Sequence, residues 1–172
     1  MHIETINIHV SSGQDAMTRA FIEALLRGPE SEPDATTVAP QQTGIKPPKI
    51  GEVWPGQGGI CCGLARGEDG QPDYYLILAE AAPETDFSWQ AGLDFAKTIE
   101  ADGHKDFSVP TRFESALLYA NVRDKLDTDH WHWTSTQYSE DDAYSQFFHY
   151  GYQYYYYKKY EGRCRFVRRL IL

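Results

Sequence analysis

Long apolar runs are missing from this chain. No stretch approaches the ~20 residues that a membrane-crossing helix needs, so a membrane is not expected as a partner. Cysteine is scarce: three residues, Cys61, Cys62 and Cys164. Adjacent cysteines bridge each other only with strain, and no CxxC or Cys/His spacing suited to zinc occurs. Free, buried thiols of a reducing compartment are therefore expected. Positive charge is also short. There are 16 Lys+Arg against 25 Asp+Glu, a formal net charge of −9. A field of that sign argues against nucleic acid as the partner. No nucleophile elbow, phosphate loop or GxGxxG motif is present, so catalysis is not favoured and no cofactor is expected. The opening MHIETINIHV alternates apolar and polar residues and has neither a basic n-region nor an apolar h-region. It does not read as a secretory signal. A route out of the cell would need another carrier, such as a virion or a dedicated export machine.

Tyrosine is abundant instead. Seven of the 12 tyrosines fall between Tyr150 and Tyr160, in HYGYQYYYYKKY. The basic residues gather just after them: Lys158, Lys159, Arg163, Arg165, Arg168 and Arg169 are six of the 16. At 172 residues, 41% hydrophobic and 24% charged, the chain suits one globular domain.

The periodicity divides it. Residues 4–10 alternate like a strand, and residues 13–28 place Ala16, Ala20, Ala24 and Met17, Phe21, Leu25 at helical spacing. This 1–28 segment is too small to fold alone and must dock on the main domain or on another copy of itself, which suits attachment or homo-oligomerisation. Residues 29–49, rich in Pro, Thr, Gln and acid, read as a linker. The main domain spans 50–172. Strands are expected at 60–66 and 74–80 around the turn GEDGQPD. A helix follows Ser88 as its N-cap, with Trp89, Leu93, Ala96 and Ile99 on one face and Gly103 past its end. A second helix opens with the capping box Thr111-Arg-Phe-Glu114 and turns Phe113, Ala116, Leu117 and Ala120 inward. The period then changes to two, predicting four consecutive antiparallel strands with turns at Gly151 and Gly162. The fold class is α+β.

These elements carry particular words. GGI, DYYLILA, SWQAGLDFA, GHKDFSVPTRFESALLYANV, WHWTSTQYSEDDAYSQFFHYG and GRCRFVRRL resemble the family of the C-terminal domain of a bacterial collagen-like lipoprotein. The likeness covers roughly residues 51–172 and is most specific over 107–169. Tyr144 stands where that family usually has Trp, and Cys164 where Ala is common. The resemblance implies a C-type-lectin-like fold. That superfamily also includes formylglycine-generating enzymes and the variable proteins of diversity-generating retroelements, whose last strands display a ligand-binding surface. The short phage members that share this N-terminal layout, GEVWPGQGGI and VRRLIL included, look like prophage tail-region proteins, which implies a virion or the bacterial cytoplasm as the location.

In the family pattern Ala143, Tyr144, Gln146, Phe148, Gly151, Lys158, Arg163, Val167 and Arg168 match framework positions. The residues between them form the candidate ligand-binding set: Ser145, Phe147, His149, Tyr150, Tyr152, Tyr154, Tyr155, Tyr156, Tyr157, Lys159 and Tyr160. Strand alternation puts Ser145, Phe147 and His149 opposite in sense to Tyr144, Gln146 and Phe148. If the second trio packs inward, the first is displayed. Tyrosine suits display because its ring gives contact area with few torsions to freeze and its hydroxyl both donates and accepts. Retroelement mutagenesis of an Asn codon would reach Tyr, His, Asp, Ser and Phe, which covers nearly all of the set except Lys159. A Tyr-rich sheet with half of each strand buried is the structural alternative. Lys158 and Lys159 would then guard a β-prone, uncharged run.

Three smaller features carry less. The QPD at 71–73 matches a calcium-lectin motif but sits in a hairpin turn. Glu140, Asp141 and Asp142 read as a solvated loop, and no metal is expected. His130 and His132 share one strand face, with Trp131 and Trp133 on the core side. Arg163, Arg165 and Arg168 are expected to brace the fold. The leading expectation is a non-enzymatic phage or prophage protein whose tyrosine-rich face binds a host surface protein or glycan. The alternative is a prophage module that binds a host protein inside the cell. The third is an enzyme related to the formylglycine-generating factors.

Overall fold

The structure, a computed structural model, describes residues 46–172. The strand-helix segment expected at 1–28 and most of the linker expected at 29–49 lie outside the described residues. The fold is α+β, with two helices and two antiparallel sheets.

The hairpin forms where the β-rich words predict it. Strand β2, Gly59–Ala65, pairs with β3, Tyr74–Leu78, and the two-residue β1, Val53–Trp54, flanks β2. The loop closes on itself: Asp73 accepts the Gly67 N–H at 2.9 Å, and Asp69 and Gly70 take positive φ. The QPD motif is thus part of a turn. Leu76, Ile77 and Leu78 are fully buried, because this strand has core on both faces.

Helix α1, Trp89–Ala96, begins at Ser88, but the Ser88 hydroxyl makes no capping bond. The helix also stops well short of Gly103. Lys97, Thr98 and Ile99 bond back three residues instead of four, and the Thr98 hydroxyl takes the Phe95 carbonyl. Asp102 and Gly103, at φ 50° and 80°, close a separate tight turn between Ala101 and His104. An Asp-Gly pair favours that turn over a helix terminus.

Helix α2, Arg112–Val122, has the predicted capping box: the Thr111 hydroxyl accepts from Glu114 N–H and the Glu114 carboxylate accepts from Thr111 N–H. Its inward face is not the predicted one. Phe113 is 63% exposed, Ala116 and Ala120 are exposed and Leu117 is half-buried, whereas Glu114, Ser115, Leu118 and Val122 are buried. The reason is a polar inward contact. Buried Glu114 also accepts from the Tyr74 hydroxyl at 2.9 Å and from Arg169 Nε at 2.7 Å. An apolar-face count cannot see a carboxylate that turns inward with its partners.

Strands β4, Trp131–Gln137, β5, Asp142–Phe147, and β6, Gln153–Tyr157, make the second sheet in the order β4-β5-β6. The expected meander of four strands ends there. Strand β7, Val167–Ile171, crosses to the first sheet and pairs with β3, which gives the order β1-β2-β3-β7. Its anchors explain the crossing. Val167 and Arg168 are buried, and Arg168 bonds Asp106 at 2.9 Å and Gln57 at 2.8 Å.

The core lies in three places. Leu76, Leu78, Leu118, Val122, Phe148 and Val167 fill the space between the first sheet and α2. Ala96, Phe107, Trp133, Ala143, Cys164 and Phe166 pack beside α1. Trp54, Cys61 and Ile77 cover the other side of the first sheet. All three cysteines are free and buried. Burial pushes the Cys62 and Cys164 thiols up to about 12. No helix among the described residues is long and apolar enough to cross a membrane.

Candidate functional site

The candidate residues sit on β5, on β6, on the turn between them and just beyond. The register places Asp142 opposite Tyr157, Ala143 opposite Tyr156, Tyr144 opposite Tyr155, Ser145 opposite Tyr154 and Gln146 opposite Gln153. Opposed residues share a face. One face therefore carries Tyr144, Gln146, Gln153 and Tyr155, and the other carries Ala143, Ser145, Tyr154 and Tyr156.

The two faces are unequal. On the second, Trp131 and Trp133 of β4 meet edge to face at 4.7 Å, and Tyr156 packs on Trp131 at 4.7 Å. Ala143 and Trp133 are buried there. Ser145, expected on display, is 2% exposed and donates to the Tyr154 carbonyl. It lies between Trp133 and Tyr154 on the central strand, where neighbours cover it from both sides. On the first face the start of α2 lies across the sheet. Gln153 accepts from Arg112 Nε at 3.1 Å and donates to Gln146 at 2.9 Å. Gln146 and Phe148 are buried as expected, but Tyr144 is only half-buried, under the Arg112 guanidinium at 4.2 Å.

What remains on the surface is aromatic. Tyr150, Tyr152, Tyr154, Tyr157 and Tyr160 are exposed by 47–69%, His149 and Lys159 are exposed, and Phe147, Tyr155 and Tyr156 are half-buried. The rings prop one another. Phe147 stacks with Tyr150 at 5.9 Å and with Tyr152 at 5.5 Å, with planes within 12°. Tyr155 stacks between Tyr138 at 4.0 Å and Tyr154 at 4.9 Å. Tyr138 also pushes the Tyr155 phenol up from its ordinary value. Tyr157 meets Tyr160 edge to face at 5.6 Å, and Lys159 lies over the Tyr157 ring. Such stacking holds the rings in place and lowers the entropy lost when a ligand orders them.

The structure thus brings together ten of the eleven candidates and removes Ser145. It adds Tyr138, Tyr144 and Arg112, which sequence reasoning missed. Tyr138 was legible as an aromatic at the end of a strand. Arg112 carried no local signal, because it reaches the tyrosines from a distant helix.

The remaining features support the frame. Lys158 lies over the Trp89 ring at 4.7 Å and donates to the Ser139 and Glu140 carbonyls. The 139–142 loop is closed by Ser139 and Asp142. Among the described residues no group of three His, Cys, Asp or Glu is placed to hold a metal ion. His130 bonds Asp127 at 2.7 Å and, with His132, Arg163 and Arg165, lines a separate cleft that includes none of the tyrosines. Arg163 pairs with Asp86 at 3.1 Å, and Arg165 donates to the Lys125 carbonyl. No protein-family model matches the chain, and no curated protein matches it.

Proposed function

We propose that residues 50–172 form a C-type-lectin-like domain of a phage or prophage protein. Its tyrosine-rich surface binds a host-cell surface protein or glycan without covalent chemistry. In this reading the domain is carried on the virion, through residues 1–28, and several copies add weak single sites by avidity.

One observation carries the reading: five exposed tyrosines lie on one hairpin and its flank, each against a neighbouring aromatic ring. Monomeric proteins rarely leave a contiguous aromatic surface open unless something binds there. The aromatics also sit on a hairpin whose strands pair without a register shift, where preorganisation favours recognition. The non-enzymatic part is supported by the thiols. Cys62 and Cys164 are buried with raised pKa values, so little thiolate is available as a nucleophile.

The test replaces Tyr150, Tyr152, Tyr154 and Tyr157 together by Ser and measures binding of the fluorescent full chain to host cells. Binding should disappear while the thermal unfolding transition remains cooperative. Undiminished cell binding would show that the surface is not the site. Sequencing codons 140–165 across a growing population, with the neighbouring DNA, tests the retroelement origin. Substitutions confined to template adenines support it, and uniform codons remove it.

A further inference from the structure

Among the described residues no strand pairs with the outer edge of β6, and the tyrosines flank it on both sides. Phe147 N–H donates to the Tyr152 carbonyl at 3.0 Å, and Lys158 N–H donates to the Asp141 carbonyl at 2.8 Å. In an antiparallel ladder such bonded positions recur at every second residue. With the register above, the backbone groups of Tyr152, Tyr154 and Tyr156 therefore face β5, as does the N–H of Lys158, whose carbonyl accepts from Trp89 N–H. Those of Gln153, Tyr155 and Tyr157 face outward. The Tyr157 carbonyl is taken by Tyr160 N–H. The N–H and C=O of Gln153 and Tyr155 and the N–H of Tyr157 find no partner among the described residues.

The opposite edge of the same sheet is sealed. Trp133 N–H donates to Arg163, Arg163 N–H donates to Trp131 and Ser135 N–H donates to Pro110. Open edges are normally blunted by proline, a bulge or an inward charge. Strand β6, Gln-Tyr-Tyr-Tyr-Tyr, has none of these within its length, no register shift interrupts its pairing, and the guarding lysines, Lys158 and Lys159, lie past its end over the Trp89 and Tyr157 rings. A cleft of about 260 Å³ runs beside it, lined by Asp142, Tyr154, Tyr155, Tyr156, Tyr157 and Tyr160. It combines residues from both sheet faces with one carboxylate.

We infer that this edge takes an extended peptide segment of the partner, added as a fourth strand beside β6, with a Lys or Arg side chain in the tyrosine-lined cleft. The inference rests on the proposed binding role of the tyrosine surface and selects protein over glycan as the ligand. Backbone pairing supplies affinity in strand addition, and the flanking pockets select side chains. Aromatic faces and a carboxylate favour a cation. A second copy of the chain is disfavoured because each copy carries a net charge of −9.

The test selects binders to the full chain from a yeast-displayed library of random seven-residue peptides and measures them against two variants. In one, residue 155 is joined through an ester, which replaces the outward N–H by oxygen and keeps the ring. The other is Asp142→Asn. Selected peptides should alternate β-branched or aromatic residues and contain Lys or Arg. Binding should weaken about fivefold to tenfold with the ester, as for loss of one hydrogen bond. Asp142→Asn should remove the preference for a basic residue. Peptide binding should also slow amide exchange at Gln153, Tyr155 and Tyr157. Selection of no peptide, or equal binding to the ester variant, overturns the inference. So does protection of these amides in the free chain, which would mean that a second copy or the chain itself already covers the edge. Glycan-array binding that Tyr154→Ser and Tyr157→Ser abolish but the ester leaves unchanged keeps the tyrosine-surface reading and sinks this one. Absence of both peptide and glycan binding sinks both.

Discussion

Tyr156 and Tyr157 are neighbours with different roles. Tyr156 packs on Trp131 at 4.7 Å, at the margin of the core, whereas Tyr157 is 51% exposed. Tyr156→Ser should therefore cost about 2 kcal/mol in urea unfolding, from lost ring burial and the aromatic pair. Tyr157→Ser should stay within about 0.5 kcal/mol of the parent. Equal losses would mean that the run is packed uniformly. His132 gives a second residue-scale prediction. Burial pushes its imidazole down to about 4, and its Nδ1 has no partner. The unfolded chain takes up that proton near pH 6.5. The folded-state pKa is depressed, so the stabilisation is complete above about pH 6.5 and is lost as pH falls toward 4. The loss is on the order of 3 kcal/mol. Urea midpoints measured across that window should fall, and His132→Phe should flatten the fall.

At the scale of elements, the β5–β6 turn depends on Gly151. Its φ is +80°, and an added Cβ would lie 2.4 Å from the Tyr119 ring. Gly151→Ala should cost about 3 kcal/mol, from strain and overlap together. In a Tyr119→Ala background the penalty should fall to about 1 kcal/mol, because only the backbone strain remains. A double-mutant cycle by denaturant unfolding measures the difference. The turn at Gly151 was legible from the sequence because glycine punctuates a period-two pattern. Helix α1 was legible in its start but not in its length. The DG pair at 102–103 marks a turn, but Ala, Lys and Ile before it fit a helix equally well. Helix α2 was legible in its capping box, which is a local reciprocal bond. Its buried face was not, because Glu114 is held by Tyr74 and Arg169 from other parts of the chain.

At the scale of the molecule, β7 joins the last stretch of sequence to the first hairpin. Removing residues 167–172 would open the edge of β3 and uncover Leu76 and Leu78, which are fully buried. The truncated chain should lose its near-UV circular dichroism and its cooperative melting. A native-like transition would show that β7 is an accessory strand. The acid-rich composition acts at this scale too, through the negative field of a chain with net charge −9.

The sequence by itself determined the hairpin, both helix starts, the three strands of the second sheet, the buried thiols and the concentration of tyrosines near the end. Each of these is written in local periodicity, turn chemistry or composition. Only the tertiary structure decided that β7 leaves the second sheet, that Ser145 is buried, that Arg112 reaches Tyr144 and that no described strand pairs with the outer edge of β6. The physical reason is common to all four. Alternation says that a strand has two faces, but which face is covered and which edge is paired depends on elements far away in the chain.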